Sequence, residues 1–389
     1  MKLKKIGILT FFDVNNFGAD LQAFALSHFL NKQGHDSEII RYYFYKNKNH
    51  VRTKNSKPDF KLPFSKRALE FLYPFYIKFK SYSFKSATKK RRALFKDFVL
   101  NHIRFSKEEY KTYEDLIQAK LDYEIIIVGS DQVWNPNLNT SLKPYLLNFE
   151  SRKSVKKISY AASFGVNYLP EDHKLFYRKF LNEFKAISCR EESGVEIVKK
   201  LKLPLINPTQ VLDPTLLLSK KEWSNLSSNR FNFEQPYLLI YVISESEYIY
   251  SVADYISKKL KLNIIQITKD NYPQNRNPKI RNLIDVGPLE FIELFKRANF
   301  ILTSSFHGTC FSVIFNTPFF VILNPNKDNN SRQINFLESV SLENKLLFYG
   351  DERIFGQSFS QLVDLSAFDK IAFLKKLKKS KEFLIKETK

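Results

Sequence analysis

The chain has 389 residues, 43 % of them hydrophobic and 26 % charged, and its formal net charge is +22. This composition is typical of a folded protein of two or three domains and excludes a disordered or collagen-like chain. The positive charge favours polyanionic partners, which are nucleic acid, an anionic membrane face or phosphorylated substrates. Two cysteines, Cys189 and Cys310, are too few for a disulfide framework or a four-ligand zinc site and indicate a reducing, cytoplasmic setting. No apolar run is long enough to predict a transmembrane helix.

The N-terminal segment predicts a strand, a helix and a second strand. Residues 6–11 form a short apolar run that ends before Asp13, which predicts a strand rather than a signal peptide. Apolar residues at helical spacing follow over 21–30, and Gly34 stands where a helix commonly ends. Residues 37–44 predict the next strand.

A basic and aromatic stretch follows, which we interpret as an insertion at about residues 46–110. Between Arg41 and Lys96 the sequence has 17 Lys and Arg against two acidic residues, a net charge of +15, and Tyr and Phe alternate with these cations. Cations among aromatic rings suit an anionic membrane surface, and they also suit single-stranded nucleic acid. A solvated surface insertion is the third interpretation. We expect no nucleic acid partner.

Strand-like and helix-like runs alternate through the rest of the chain, which is typical of mostly parallel sheets. The predicted strands are residues 124–128, 157–162, 186–189, 237–243, 263–268, 300–303 and 319–323. The predicted helices are residues 191–201, 247–261 and 288–297, together with one that starts at Gly308. A Pro-rich segment over 204–236 predicts the crossing between two domains.

Two Rossmann-like α/β domains that face a cleft form a glycosyltransferase-B-like architecture. We place the first domain at residues 1–210 and the second, donor-binding domain at residues 235–350. The basic tail at about 366–389 predicts a C-terminal helix that crosses back to the first domain.

Four segments place polar residues just after predicted parallel strands, where open α/β sheets bind their ligands. None is a Walker loop, a GxGxxG motif or a zinc motif, and we predict no metal site. The candidate residues are Asn15, Asn16, Gly18 and Gln22 in the first segment, Ser130, Asp131 and Gln132 in the second, Arg190 in the third, and Ser305, His307, Gly308 and Thr309 in the fourth. Turn formation, helix capping, a surface ion pair and a structural histidine are the alternative roles of these residues.

Six short blocks stand in a recognisable order. They read NFGADLQA at 16–23, VGSDQVWN at 128–135, YAASFG at 160–165, SCREE at 188–192, DPT at 213–215 and SFHGT at 305–309. In register, from near residue 6 to near residue 338, they resemble the polysaccharide pyruvyl transferase family.

The resemblance implies a glycosyltransferase-B-like fold and an enzyme that uses phosphoenolpyruvate as co-substrate, without a metal or redox cofactor. The product would be a pyruvate ketal that bridges two hydroxyls of a sugar. His307 would transfer a proton, and the guanidinium of Arg190 would bind the donor's phosphate or carboxylate. Ser305, Gly308 and Thr309 would line the donor site. The candidates of the first two segments would line the acceptor site or the cleft.

Two blocks depart from the family pattern. The first block has Ala19 where several relatives have aspartate directly after the glycine. The other departure is in the block at 305–309. Relatives have an arginine two residues before the histidine and a leucine directly before it, where this chain has Ser305 and Phe306. We expect Arg332 to supply the missing cation, and a different donor is the alternative.

We therefore expect a cytoplasmic pyruvyl transferase, peripheral at the inner membrane face. Its acceptor would be a sugar or lipid-linked oligosaccharide of a bacterial surface polysaccharide, an exopolysaccharide or capsule. One alternative is a glycosyltransferase that uses a nucleotide sugar, which the second half disfavours because it has no acidic block to hold a ribose. The other is a non-catalytic basic protein that binds membrane or nucleic acid through residues 41–96.

Overall fold

The computed structural model describes residues 3–43, 84–137, 142–268, 275, 277–327 and 330–389. Residues 44–83, which carry most of the predicted insertion, lie outside the described residues. Nowhere in the described ranges is a helix both long and apolar enough to cross a bilayer.

A five-stranded parallel sheet forms the centre of the N-terminal half, in the order β3-β2-β1-β4-β5. Its strands are β1 Lys5–Leu9, β2 Asp36–Tyr42, β3 Phe105–Tyr110, β4 Ile125–Val128 and β5 Lys156–Ser159. The strand β4 has the sequence Ile-Ile-Ile-Val and is buried throughout, as expected for a parallel strand covered on both faces. Because β2 and β4 flank β1 on opposite sides, the ends of β1 and β4 form the switch point of this sheet.

Among the described residues, six α-helices and a short two-stranded sheet complete this half. The helices are α1 Phe17–Lys32, α2 Lys85–His102, α3 Tyr113–Gln118, α4 Glu171–Leu181, α5 Glu192–Lys200 and α6 Lys220–Leu226, and the two strands are β6 Ser188–Cys189 and β7 Thr209–Gln210. Asn16 caps the start of α1 by accepting a hydrogen bond from the Gly18 N–H. Gly34 follows the end of α1 with a φ of 88°, the left-handed conformation that glycine adopts without strain.

A six-stranded parallel sheet forms the centre of the second half, in the order β10-β9-β8-β11-β12-β13. Its strands are β8 Tyr237–Tyr241, β9 Asn263–Ile267, β10 Ile280–Leu283, β11 Phe300–Thr303, β12 Phe319–Leu323 and β13 Leu346–Phe348. The accompanying helices are α7 Glu247–Leu260, α8 Pro288–Arg297, α9 Phe306–Phe315, α10 Ser331–Glu338 and α11 Phe359–Val363. The switch point lies between β8 and β11, so the two halves repeat one doubly wound design.

The C-terminal helix α12 Lys370–Glu387 crosses back to the first half, as predicted. Its Ser380 hydroxyl accepts a hydrogen bond from the Leu212 N–H at 2.9 Å. Farther along, Glu387 forms an ion pair with Lys156 of β5 at 2.9 Å. These contacts fix the helix against the segment that precedes Asp213.

The end of the predicted insertion is part of the fold. The strand β3 is the edge strand of the first sheet, and α2 packs between the two halves. The guanidinium of Arg91 lies 5.0 Å from the ring centre of Phe17 in the first half and donates a hydrogen bond to the Thr268 carbonyl in the second. Arg91 therefore joins the halves, although the sequence groups it with the surface cations. The domain limits remain predictions.

Candidate active site

The two switch points face each other across the cleft between the halves. His307 follows β11 and lies in the first turn of α9, and its ring packs against Gly18 in the first turn of α1. A methyl group on Gly18 would lie 2.0 Å from His307 Nδ1, a distance that no real contact allows. Glycine is therefore required at position 18, because the imidazole of His307 occupies the space that a side chain there would need.

Local packing holds His307 at the start of α9. Ser305 caps the helix and accepts a hydrogen bond from the Gly308 N–H at 3.3 Å. Gly308 lies so close to Thr303 that an added methyl group would come within 2.2 Å of the Thr303 hydroxyl. The Thr309 hydroxyl donates to the Ser305 carbonyl and is fully buried. The structure thus places Gly308 and Thr309 beneath His307, where they position it.

Asp213 is the polar centre of the site. Its Oδ2 accepts hydrogen bonds from Arg190 Nη1 at 3.0 Å and from the Ser130 hydroxyl at 3.0 Å, and His307 Nε2 lies 3.5 Å away. Its Oδ1 accepts from the Thr215 N–H and hydroxyl at 3.0 and 2.8 Å. Burial raises the pKa of this carboxyl, but His307, Arg190 and the Thr215 N–H outweigh burial and hold the pKa well below its ordinary value. Asp213 is therefore a carboxylate that accepts hydrogen bonds from Arg190, Ser130 and Thr215 and faces the imidazole of the second half.

Arg190 is surrounded by carboxylates. Besides Asp213 it contacts Glu191 at 2.9 Å, and Asp131 lies 3.9 Å from its Nη2. Burial lowers the pKa of its guanidinium, but these carboxylates outweigh burial and raise the pKa above its ordinary value. The guanidinium also lies 4.6 Å from the ring centre of Phe306 in the second half. Much of its binding capacity is used within the protein, and Nη2 is the buried nitrogen without a hydrogen-bond partner.

Arg332 lies in α10, and with Arg190 it lines a pocket that is partly open to solvent. Asp213 and Phe306 also line this pocket. The Nε of Arg332 is buried and has no hydrogen-bond partner in the described part of the chain. Burial, and then the charge of Arg190, lower the pKa of Arg332. The predicted second cation is thus beside the first, with hydrogen-bonding capacity left for a ligand.

The remaining candidates fall into two groups, which are residues placed in the loops after β1 and β4 and residues whose side chains form hydrogen bonds that stabilise those loops. Asn15 and Asn16 are exposed in the turn before α1, and Asp131 has a positive φ of 75° in the loop after β4. By contrast, the Gln22 amide is fully buried and donates to Thr10, Phe11 and Ala19, which secures the loop after β1. Gln132 accepts a hydrogen bond from the Asn135 amide, so its side chain also stabilises the loop to which it belongs.

Two features of the site escaped the sequence reasoning. Asp213 belongs to the DPT block, but we did not select it as a site residue. Its position before Pro214, at the start of a 3₁₀ turn that it caps, was the available signal. Phe306 was noted only as a departure, whereas its ring covers Arg190 across the cleft. In the described part of the chain, no group of His, Cys, Asp and Glu side chains could hold a metal ion.

Replacing Gly18 by alanine should displace the His307 ring and lower turnover at least tenfold, because the added methyl group overlaps Nδ1. Gly356→Ala is the matched control, since nothing lies within 4 Å of a methyl group there. Thermal unfolding and kcat of both variants provide the measurement. Equal turnover in the two variants would contradict the packing of His307 against Gly18.

Asp20, fully buried in α1, should make stability depend on pH. Burial raises the pKa of its carboxyl to about 8, although a hydrogen bond from the Asp13 N–H opposes the rise. The unfolded chain loses this proton near pH 4 whereas the folded chain keeps it to about pH 8, so folding weakens as the pH rises between these values. From pH 5 to pH 8, wild type should lose about 2 to 4 kcal/mol of unfolding free energy that Asp20→Asn does not lose.

Denaturant titrations at both pH values test this difference, and Asp122→Asn, on an exposed aspartate, is the control. If wild type and Asp20→Asn show parallel pH dependence, then Asp20 ionises in the folded protein as it does in water.

The arrangement of two doubly wound halves with a cleft between their switch points defines a glycosyltransferase-B-type fold. Structural comparison agrees: the UDP-N-acetylglucosamine 2-epimerase from Rickettsia bellii matches with a TM-score of 0.53 at 12 % identity, covering 100 % of this chain and 96 % of that one. The family model for polysaccharide pyruvyl transferase matches residues 16–326. The chain belongs to this polysaccharide pyruvyl transferase family.

Two further solved structures match with lower TM-scores. The UDP-GlcNAc 2-epimerase from Neisseria meningitidis has a TM-score of 0.48 and 11 % identity, and covers 99 % of each chain. Arabidopsis thaliana UGT89C1 has a TM-score of 0.48 and 13 % identity, and covers 100 % of each chain. No curated protein matches the sequence significantly.

Proposed function

We propose that the protein transfers the enolpyruvyl group of phosphoenolpyruvate to two hydroxyls of a sugar, which forms a pyruvate ketal and releases phosphate. The acceptor is a sugar or lipid-linked oligosaccharide intermediate of a bacterial surface polysaccharide, such as an exopolysaccharide or capsule, and the reaction takes place in the cytoplasm. The family supports the transfer of a pyruvyl group. The observation that carries the proposal is a histidine held by a buried carboxylate beside two arginines that converge on one pocket.

The arginines suit the donor because phosphoenolpyruvate carries a phosphate and a carboxylate. Arg332 has a buried Nε without a partner, and Arg190 keeps one such nitrogen. Guanidinium groups bind both kinds of anion through paired hydrogen bonds. We assign the donor site to this pocket; Ser305, which stands where the family has an arginine, caps α9 and is not among the residues that line it.

His307 is the proposed proton donor. Because the Asp213 carboxylate can only accept, we assign one proton of the imidazolium to His307 Nε2, which faces it, and the second proton, on Nδ1, is the one transferred to the donor. Gly18 covers Nδ1 here, so the reaction requires the halves to separate at this contact to admit the substrates.

The proposed reaction balances without a further reactant. A proton added to the donor's methylene carbon produces a methyl group and an oxocarbenium-like centre at C2. One sugar hydroxyl attacks C2 and loses its proton to His307 Nδ1, which regenerates the proton donor. The C2–O bond to phosphate then breaks, the second hydroxyl closes the ketal, and its proton leaves with the phosphate.

Phosphate release from phosphoenolpyruvate in the presence of candidate glycans tests the proposal. In heavy water the ketal methyl group should contain one deuterium, because one of its three hydrogens comes from an exchangeable site. Mass spectrometry of the product detects this. If a UDP-sugar and the same glycans yield UDP while phosphoenolpyruvate yields no phosphate, then the nucleotide-sugar alternative replaces the proposal.

We also propose that the protein contacts an anionic membrane surface through the basic stretch between Arg41 and Lys96. Its described part, α2, exposes Lys89 and Arg92, whereas Arg91 is buried and Lys90 forms an ion pair with Asp285 at 3.3 Å. Such a contact would place the enzyme near lipid-linked acceptors.

Reversing the charges of Lys89 and Arg92 to glutamate should weaken flotation with anionic vesicles and leave turnover on a short water-soluble acceptor unchanged, because each cation near anionic lipid contributes about 1 kcal/mol. Lys258→Glu with Lys259→Glu, on the exposed end of α7, makes the same charge change elsewhere. Wild-type binding should fall with salt but persist, since the aromatic rings add an apolar contribution. Wild type that remains unbound at low salt would refute the membrane contact.

A further inference from the structure

The pocket beside Asp213 has a third wall, which is the C-terminal helix. Lys376 and Lys379 of α12 line it together with Arg190 and Arg332. Neither lysine belongs to a family block, and the sequence reasoning placed both only in a basic tail. The pocket thus gathers four cations from the first half, the second half and the helix that crosses between them.

Within the described part of the chain, three of these four cations form no ion pair with a carboxylate, although Glu191, Asp131, Asp213 and Glu192 lie near enough to act on them. The carboxylates that line the pocket, Glu191 and Asp213, both contact Arg190. Across the described ranges, no carboxylate lies within 4.0 Å of the charged groups of Arg332, Lys376 or Lys379. Burial, and then the neighbouring Lys379, lower the pKa of the Lys376 ammonium. Three cations therefore share one space at an electrostatic cost that a bound anion would remove.

Both lysines project from one face of α12, where Lys376 is partly buried and Lys379 is exposed. Residues three and four apart lie on one face of a helix, so Lys376, Lys379 and Ser380 project together. Ser380 is buried; its hydroxyl donates to the Lys376 carbonyl at 2.7 Å and accepts from the Leu212 N–H, one residue before Asp213. By contrast, Lys378 points away and pairs with Glu382 at 3.8 Å, and Lys375 is exposed outside the pocket.

We propose that Lys376 and Lys379, with Arg332, form a phosphate-binding subsite that takes a phosphoryl group of the substrates. The subsite rests on the proposed function for the identity of its ligand. Lysine ammonium groups bind phosphate as point charges, and the Arg332 fork adds directed hydrogen bonds. The phosphoryl group comes from phosphoenolpyruvate or from the phosphate link of a lipid-carried acceptor, and both present the same chemistry to these cations.

The test compares two double variants of the full-length protein that remove the same charge from the same helix. Lys376→Gln with Lys379→Gln changes the pocket, and Lys375→Gln with Lys378→Gln changes the solvent side. Calorimetric titration with inorganic phosphate, and separately with pyrophosphate, measures binding at low salt. We expect at least tenfold weaker binding in the pocket variant and unchanged binding in the control. Replacing both pocket lysines by arginine should restore binding, which a loss of folding would not allow.

Steady-state kinetics then identify the source of the phosphoryl group. A higher KM for phosphoenolpyruvate in the pocket variant assigns the subsite to the donor. A higher KM only for a phosphate-linked acceptor, compared with the same glycan without phosphate, assigns it to the acceptor. Pocket and control variants that bind phosphate equally would overturn the subsite. If phosphate binding depends on Lys376 and Lys379 but no glycan supports phosphate release, the proposed function fails and the subsite stands.

Discussion

Replacing His307 by alanine should lower kcat by about 10²- to 10⁴-fold, the contribution of a positioned acid or base. The imidazole belongs to the second half and lies between Gly18 and Asp213 of the first half, and it is 7 % exposed. The loss should appear mainly in kcat, because we propose that Arg190 and Arg332, rather than His307, bind the anionic groups of the donor. Phosphate release under saturating phosphoenolpyruvate and acceptor measures the effect.

His173→Ala is the control for the loss of one imidazole. His173 contacts the Asp172 carboxylate at 3.0 Å on the surface, in the first turn of α4. This variant should keep wild-type turnover and stability. A correctly folded His307→Ala protein with near-wild-type kcat would exclude His307 from proton transfer. If the protein only binds a partner, neither substitution should change that binding.

The sequence predicted the parallel sheets well because their strands are short, apolar and bounded by turns. The predicted strand at residues 300–303 and helix at 288–297 coincide with β11 and α8. The predicted helix at Gly308 begins two residues earlier, since Ser305 acts as its cap. Polar edge strands escaped prediction: β3 has the sequence Phe-Ser-Lys-Glu-Glu-Tyr, which has no apolar alternation, and its place is set by pairing with β2.

Individual site residues could be predicted from the sequence, but the contacts between them could not. Strand ends and the family blocks indicated His307 and Arg190. That Asp213 joins them depends on contacts between residues far apart in sequence, which no local pattern encodes. Lys376 and Lys379 were missed for the same reason. A lysine-rich tail is typical of a solvent-exposed helix, and only the position of this helix across the cleft shows that one side lines the pocket while the other faces solvent.

Asp213→Asn should lower both stability and turnover, since one carboxylate supports the whole network. The change keeps the shape of the side chain but removes the charge that Arg190 and His307 face. Removing one partner of a buried ion pair costs about 3 to 5 kcal/mol. Because the pKa of Asp213 is held well below its ordinary value, this stabilisation is complete above the unfolded pKa near 4 and is lost as the pH falls below it. Wild type and variant should therefore differ most near neutral pH and converge in acid.

Turnover distinguishes a positioning role for Asp213 from a purely structural one. With its carboxylate lost, Nε2 of His307 no longer has a fixed acceptor, so kcat should fall by roughly 10²-fold or more. Thr215→Val is the matched control, because it removes the hydroxyl donor to Asp213 Oδ1 and keeps the charge, at a cost of about 1 kcal/mol. We expect its kcat to stay within a few-fold of wild type. Were Asp213→Asn to lose stability and still turn over like Thr215→Val, the carboxylate would hold the two halves together without orienting His307.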